Sequence, residues 1–569
     1  MAHQLDEGFD YNEIRSLMVK DLRIIPQLFK LRSRQQLEEL SRTPYLCGWA
    51  FQSLRYDRAN IAMDLRHFHE TYRACFGRRS PICNPGPTQC DGSSSHACKR
   101  FKNTAVTNQL MHDQKCEGDC QRLFWCRDSF VNVSGAKAVD IVTTDTTTLR
   151  YCKVSVKTLT ISHVWSHGQG GRPDDGHPEG TGFNLCLHRR YAELATLLGC
   201  ESYWMDTPCI PSEKDLRWEC IMNITSIFAM SEKTIICDRD IMAMDISYPT
   251  VQVYERILAT LLVCDWSIRA WTLLESMRGR RGLYLLCLNN RHISVCELLK
   301  SVVDNGRIDL TSLFLARGYL FPPVDLGDFE LFPGRVVEDP AGRQVQKGFV
   351  NIGEAAALLS HRHATRDADD LLIWSLLIGD LEDESPVEMW KRQVDKVIAT
   401  GFLVSSAQRI QGHPGLGWAP CQPTASRRAS DTSLSPKTYP AYDGVETQRG
   451  TITAHGLRAK WLVHEFPVVA SSTAAEKGTK ELQISSLQEP ISRITSRYLL
   501  GYTRGALLQA LPRRGDLQRN IPVPYRGSTA PVMVICGSVD GAKWEWKDIY
   551  EWETSDPVPH FDMREILLV

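Results

Sequence analysis

The spacing of apolar residues between 150 and 300 alternates between two periods. Short apolar runs with the composition of buried strands are KTLTISHVW (157–165), SYWMD (202–206) and KTIICD (233–238). Between them, LCLHRRYAELATLLG (185–199) and PSEKDLRWECIMNITSIFAMS (211–231) repeat apolar residues at helical spacing. Strands that alternate with helices predict an α/β domain over 150–300, with a mainly parallel sheet and flanking helices.

The pattern outside this domain predicts five further regions. They are a helical N-terminal region (1–75), a Cys/His-rich insert (76–135), a helical extension (301–400), a flexible Ser/Pro/Gly-rich linker (405–445) and a small β-rich C-terminal module (446–569). The chain is too long for a single hydrophobic core, so a division into several domains is expected.

Composition restricts the classes of partner. The chain has 569 residues, 43% hydrophobic and 23% charged, with a formal net charge of -1. This balance offers no electrostatic footprint for nucleic acid or for an anionic membrane. The N-terminus lacks the apolar core of a signal peptide, and no apolar run is long enough for a transmembrane segment. We therefore expect a cytoplasmic protein whose 19 cysteines are reduced thiols, metal ligands or core residues.

Seven of the cysteines lie between Cys75 and Cys126, in a polar stretch that also contains histidines. His112, Cys116 and Cys120 recur every four positions, a spacing that would place them on one face of a helix. Structural zinc needs about four nitrogen or sulfur ligands in a tetrahedron. The zinc ligands are expected among Cys83, Cys90, His112, Cys116 and Cys120, with His96 or Cys98 as substitutes. The alternative is that these cysteines are free thiols in a loop-rich insert.

Polar and aromatic residues follow the predicted strands at the points where the strands end. His163 and Trp165 close the first strand before a glycine-rich loop, and Asp206 closes the second. Ligands of open α/β sheets bind outside the carboxyl ends of the strands, so these side chains are candidate site residues. The loop contains neither a dinucleotide-binding glycine fingerprint nor a P-loop. A mobile loop, a turn-forming aspartate and a core tryptophan are the structural alternatives.

A third motif, RAWTLLES (269–276), places Trp271 and Glu275 four residues apart, on one face of any helix that contains them. A lone glutamate on a helix is usually a solvated surface residue. The octamer by itself therefore does not distinguish a surface glutamate from one that is held beside an aromatic ring for chemistry.

Together and in this order, the three motifs resemble the heterokaryon-incompatibility (HET) domain of filamentous fungi. The matching stretches are SHVW (162–165), WMDTPCI (204–210) and RAWTLLE (269–275). The chain departs from the family pattern at His163 in place of tyrosine, Ser166 in place of glycine and Pro211 in place of asparagine. The resemblance covers about 155–290 and extends weakly to 361–379.

HET domains in turn resemble TIR domains, which have a flavodoxin-like fold and include members that cleave NAD. The spacing from Trp271 to Glu275 is similar to that of the TIR tryptophan and catalytic glutamate. The resemblance therefore implies that Glu275 is catalytic and that NAD is a substrate rather than a cofactor. The residues implied to bind the substrate are Ser162, His163, Trp165, Asp206, Arg269 and Trp271.

Two functions of different classes follow from the resemblance. The first is an effector of self/non-self recognition and programmed cell death that hydrolyses NAD at the nicotinamide–ribose bond. The second is a non-enzymatic signalling module that self-associates through the TIR-like domain and contacts an unknown protein partner. A zinc hydrolase is disfavoured, because thiolate-rich zinc sites are usually structural.

Overall fold

We analysed a computed structural model of the chain. It describes residues 111–118, 120–142, 147–168, 170–174, 182–279, 282–306, 310, 336–338, 344–346, 350–359, 362, 364, 367–379, 385–423, 447–468, 488–511, 532–552 and 559–569. The predicted helical region 1–75 lies outside these residues, as does the part of the Cys/His-rich insert before 111. The described residues divide between two compact units, one before 350 and one from 350 onward.

The first unit alternates strands and helices along the chain. Its elements are β1 (Arg122–Trp125), α1 (Arg127–Val131), β2 (Lys137–Asp140), β3 (Thr148–Leu149), β4 (Tyr151–Lys153), β5 (Thr158–His163), β6 (Phe183–Asn184), α2 (Leu185–Leu197), β7 (Ser202–Trp204), α3 (Asp206–Cys209), α4 (Lys214–Met230), β8 (Lys233–Cys237), α5 (Arg239–Met242), α6 (Val251–Val263), α7 (Asp265–Ile268), α8 (Ala270–Arg278), β9 (Leu283–Leu286), β10 (His292–Ser294), α9 (Val295–Asn305), β11 (Val336–Glu338) and β12 (Gln344–Gln346). This order confirms the predicted α/β class.

Seven strands form the central sheet, in the order β10-β9-β8-β5-β7-β2-β4. The three predicted strands are neighbours and parallel, with β5 between β7 and β8. All residues of β5 and β7 are buried, as expected of strands that helices cover on both faces. Strand β9 continues the parallel set, whereas β10, β2 and β4 pair antiparallel at the two edges. The sheet is therefore mixed, with a parallel centre, rather than mainly parallel throughout.

A second, smaller sheet attaches the described end of the Cys/His-rich insert to the α/β unit. In this sheet β1 pairs parallel with β3 and antiparallel with β6. Strand β6 leads directly into α2, so the insert and the start of α2 are neighbours although about sixty residues separate them. Helices α2, α8 and α9 contact β7, β5 and β9 of the central sheet.

The second unit begins with helices and ends in a seven-stranded sheet. Its elements are α10 (Ile352–Leu359), α11 (Asp367–Leu377), α12 (Pro386–Lys391), β13 (Val397–Ala399), β14 (Arg449–Thr453), β15 (Gly456–Pro467), α13 (Gln488–Tyr498), β16 (Arg504–Ala510), β17 (Val532–Ser538), β18 (Lys543–Glu551) and β19 (Asp562–Leu568). Strands β13 to β19 pair in sequence order, and β15 also pairs with β19. This last pairing closes β15 to β19 into a ring.

The described half of the predicted linker, 405–423, is packed within the second unit. Trp418 is fully buried, and its ring lies 5.1 Å from that of Trp390 in an edge-to-face arrangement. Arg409 is also buried, with its guanidinium over the ring of Trp546. The Ser/Pro/Gly-rich composition therefore does not prevent this half from packing, because Trp418 and Arg409 are buried together with apolar residues such as Ile410 and Leu416. The other half, 424–446, lies outside the described residues.

The predicted helical extension contains strands as well as helices. Within the predicted helical extension, the structure also contains the hairpin of β11 and β12 and the short strand β13. No helix in the part of the chain that the structure describes combines the length and the apolar composition that a bilayer crossing requires.

Candidate functional site

The candidate site lies at the edge of the central sheet where the parallel strands end. Strands β5, β7 and β8 run in the same direction, so their carboxyl ends meet at this edge. His163 is the last residue of β5, and Asp206 follows β7 at the start of α3. Helix α8, which carries Glu275, contacts β5. The fold thus brings residues from three separate motifs to one sheet edge.

Glu275 is tied to β5 by a chain of side-chain hydrogen bonds. The Ser162 hydroxyl donates to Oε2 of Glu275, and the indole Nε1 of Trp266 donates to Ser162 Oγ at 2.6 Å. Ser162 and Trp266 are fully buried, and Glu275 is partly buried. The carboxyl group of Glu275 is therefore held in a fixed position rather than moving freely in solvent.

The environment of Glu275 raises its pKa from 4.5 to about 7. Burial is the main cause, because a low-dielectric surrounding disfavours the charged form. The negative charge of Asp206 raises the pKa of Glu275 further. The hydrogen bond from Ser162 and the positive charges of His163 and Arg269 partly oppose this rise. A carboxyl group with a pKa near neutrality can both hold and release a proton under physiological conditions.

The pKa of Asp206, in contrast, is lowered by its surroundings. Its carboxylate accepts hydrogen bonds from His163 Nε2 and Trp165 Nε1, and from the backbone N–H of Thr207 at 2.7 Å. Burial alone would raise the pKa of Asp206, but the charge of His163 and these hydrogen bonds lower it to about 2. Asp206 is therefore an ionised anchor that orients the imidazole of His163 and the indole of Trp165.

The other two residues implied by the resemblance lie at the start of α8. Arg269 is the residue that precedes the helix, and its carbonyl accepts from the Thr272 hydroxyl at 2.9 Å. Trp271 stands in the first turn, one turn before Glu275, and is partly exposed. The structure thus places Ser162, His163 and Asp206 around Glu275. Ser162 donates a hydrogen bond to Glu275, and the charges of His163, Asp206 and Arg269 affect its pKa.

Sequence reasoning missed Trp266, which fixes Ser162. It also missed a second charged group on the turn after β5. His167 Nε2 donates to Asp265 Oδ2 at 2.8 Å, while His167 Nδ1 accepts the backbone N–H of Arg239 at 3.2 Å. The Arg239 guanidinium also reaches Asp265 Oδ2, at 3.3 Å. The one available signal was chemical, since a buried indole or imidazole N–H needs an acceptor, but the sequence does not say which one.

A second cluster of reactive side chains lies in the described part of the Cys/His-rich insert. We call it the thiol cluster; its members are His112, Cys116, Cys120 and Cys186. Their ligand atoms all lie within 4.8 Å of one another, and each side chain is partly buried. The three sulfur atoms lie 3.4, 3.5 and 3.6 Å from His112 Nδ1. These four residues could hold a metal ion.

The thiol cluster differs from the predicted ligand set. It contains the three expected residues after 111, but its fourth member, Cys186, comes from the first turn of α2, 74 residues from His112. The pairing of β1 with β6 brings α2 to the insert, a contact that spacing along the chain does not reveal. The expected ligands Cys83 and Cys90, and the substitutes His96 and Cys98, lie outside the described residues.

Known proteins provide no template for this arrangement. No family model, no curated protein and no solved structure matches the chain. The resemblance to HET and TIR domains therefore remains an expectation, and the function has to be inferred from the contacts of the site itself.

Proposed function

We propose that the α/β unit hydrolyses NAD at the nicotinamide–ribose bond, and that the protein is a HET-type effector of self/non-self recognition and programmed cell death. The observation that carries the proposal is the pair of carboxyl groups at the sheet edge, one after β7 and one on α8. Asp206 has a pKa of about 2 and Glu275 a pKa of about 7. Neighbouring carboxyl groups whose pKa values are pushed apart are typical of sites that perform acid–base chemistry.

The proposed reaction requires one carboxylate at the sugar. The C1′–N bond of NAD breaks with its electron pair going to nicotinamide, which leaves as a neutral molecule, so no general acid is needed. The ribosyl cation that forms is stabilised by the negative charge of Glu275. Water then bonds to C1′ and gives its proton to Glu275, whose pKa of about 7 suits a general base.

The other residues support these two steps. Ser162 and Trp266 hold the Glu275 carboxyl group in position through their hydrogen bonds. The bond to Asp206 fixes the ring of Trp165, which is the aromatic surface proposed to stack on a base of NAD and exclude water. His163, whose ring is bound to the Asp206 carboxylate, is proposed to face the substrate's phosphates.

The proposal is tested by incubating the full chain with NAD and measuring released nicotinamide. Wild-type protein should release it, and Glu275→Gln should not. Glu297→Gln is the matched control, because Glu297 lies exposed on α9 of the same unit and outside the site. If folded wild-type protein releases no nicotinamide, the non-enzymatic alternative applies, in which the α/β unit self-associates and binds a protein partner.

We also propose that the thiol cluster binds zinc. An ideal tetrahedral Zn²⁺ site with these ligands has nitrogen-to-sulfur separations of about 3.5 Å. The separations from His112 Nδ1, 3.4 to 3.6 Å, agree with that value. One imidazole and three thiols complete the tetrahedron and leave no position for a substrate, so the ion would be structural. Metal analysis of purified protein should find about one zinc per chain.

The proposed zinc site favours a reducing compartment. Three cysteine ligands bind zinc only as reduced thiolates, which the cytoplasm maintains. We therefore propose that the effector acts in the cytoplasm.

A further inference from the structure

We infer that the metal ion in the thiol cluster controls the conformation of the glycine-rich loop at the candidate active site. The glycine-rich loop comprises Gly168, Gly170 and Gly171 and connects Trp165 to the residues before β6. The inference rests on the proposed metal site and uses a structural readout, so it does not depend on NAD cleavage. Its basis is a set of direct contacts between the two features.

Asn184, the last residue of β6, joins the thiol cluster to the glycine-rich loop. Its backbone N–H donates to the carbonyl of Gly170 at 2.8 Å. Its side-chain Nδ2 donates to the carbonyl of Met111 at 2.6 Å, and Met111 directly precedes His112. Its Oδ1 lies 3.9 Å from the sulfur of Cys120. Asn184 is fully buried, so water does not replace these bonds easily.

Gly170 packs so closely that the loop has little room to move while the cluster is formed. A Cβ at this position would lie 2.4 Å from Cδ1 of Leu187 and 3.5 Å from the carbonyl oxygen of Met111. Its backbone has a φ of 78°, a conformation that glycine adopts at little cost. The loop therefore rests directly on the first turn of α2 and on the segment that carries His112.

The segment 111–118, which carries His112, is not held in place by regular secondary structure. The described residues 111–118 contain no helix and no strand. The segment is fastened to α2 by Cys186, whose sulfur accepts the N–H of Asp113 at 3.3 Å, and by an ion pair of Asp113 with Arg190 at 3.6 Å. A metal ion held by the thiol cluster would add coordination bonds between this segment and Cys186 of α2. These bonds would stabilise a segment that has no regular secondary structure.

The other end of the loop contacts Trp165, whose ring binds the Asp206 carboxylate. The N–H of Gly168 donates to the carbonyl of Trp165 at 3.0 Å, and Trp165 in turn binds Asp206. Beyond the loop, the carbonyl of Pro173 accepts the N–H of Trp125 in β1 at 2.8 Å, a contact that does not involve the cluster. Loss of the metal should thus loosen the loop between Trp165 and Gly171 while its far end stays attached.

Hydrogen–deuterium exchange of the full chain tests the inference. Zinc-loaded protein is compared with protein treated with a zinc chelator, and Zn²⁺ is then added back. Removal of zinc should speed exchange in peptides covering 164–172 by about tenfold, and re-addition should reverse it. Peptides covering 283–299, on the edge of the sheet at β9 and β10, should not change. The cysteine variants are Cys186→Ser, expected to behave like chelated protein, and Cys296→Ser, an exposed thiol on α9 that should behave like wild type.

Asn184→Ala separates the metal from its effect on the loop. This variant keeps all four ligands and the backbone N–H that binds Gly170, but it loses the side-chain bond to Met111. It should still contain zinc, and exchange over 164–172 should no longer respond to chelation. Zinc that is bound and then removed without any change in this region would overturn the inference. Protein that contains no metal would also overturn it, and metal analysis distinguishes this failure from the first. Neither result bears on whether Glu275 cleaves NAD.

Discussion

Asp206 and Glu275 stand at the same sheet edge, and the structure moves their pKa values in opposite directions, to about 2 and about 7. Hydrogen bonds from His163, Trp165 and Thr207 hold Asp206 in its ionised form, whereas Glu275 is partly buried, accepts a hydrogen bond from Ser162 and lies near the charge of Asp206. The lower pKa of one carboxyl group thus helps to raise the pKa of the other.

Glu275→Gln preserves the shape of the side chain and removes its charge. Nicotinamide release should fall by at least about 100-fold, because electrostatic stabilisation of the ribosyl cation depends on that charge. Single-turnover measurements with saturating NAD give the comparison, with Glu297→Gln as control. Release at the wild-type rate by the Gln variant would exclude Glu275 from the reaction.

The same substitution should change stability in a pH-dependent way. The pKa of Glu275 is raised from 4.5 to about 7, so the folded state loses stability as pH rises between these values and loses no more above them. Glu275→Gln removes this loss, and at pH 8 it should be more stable than wild type by about 1–3 kcal/mol. Denaturant unfolding at pH 4 and pH 8 provides the measurement. Equal destabilisation of the variant at both pH values would instead show that the hydrogen bond between Ser162 and Glu275 has a structural role.

The rate of NAD cleavage by wild-type protein should rise with pH around 7, as Glu275 becomes ionised. Trp266→Phe should move this rise to higher pH. Trp266 donates to Ser162 and so strengthens the hydrogen bond that favours ionised Glu275; without it the pKa of Glu275 should rise further. The pH profile of kcat/KM separates this positioning effect from a general loss of folding, which lowers the rate without moving the profile.

Asp206→Asn should weaken the fold at neutral pH. The pKa of Asp206 falls from 3.8 to about 2 on folding, so its contribution to stability is present above about pH 4 and is lost as pH falls toward 2. The variant should lose on the order of 2 kcal/mol at pH 7 and very little at pH 2. Urea unfolding at several pH values tests this, and Asp304→Asn, exposed on α9 of the same unit, is the control. An equal loss at pH 2 would assign the effect to packing.

Cys186→Ser should reduce the zinc content of the purified protein from about one per chain to a small fraction. Cys120→Ser should have the same effect, since both sulfurs lie in the thiol cluster. Metal analysis by mass spectrometry gives the stoichiometry, and Cys296→Ser is the control. Full zinc content in both ligand variants would show that the metal is held elsewhere in the chain.

Local pattern alone was enough to predict the α/β class and the three neighbouring strands. The apolar run of β8 is typical of a strand that is covered on both faces, and β5, in which hydroxyl-bearing and apolar residues alternate, has the β-branched composition of a strand. Strand ends are equally visible in the sequence, which is why His163, Trp165 and Asp206 could be named as candidates, whereas Ser162 was named only through the resemblance. The parallel arrangement then follows from helical connections between strands.

Contacts between distant segments were decided only by the tertiary structure. Cys186 joins His112 because β6 pairs with β1, and Trp266 reaches Ser162 because α7 packs at the end of β5. The antiparallel edges of the sheet and the packing of Trp418 in a segment of linker composition depend on the same kind of long-range contact. The pKa of Glu275 depends on burial and on neighbouring charges, and these exist only after the chain has folded. The sequence by itself therefore determined which residues lie at strand ends, and the fold determined which of them touch.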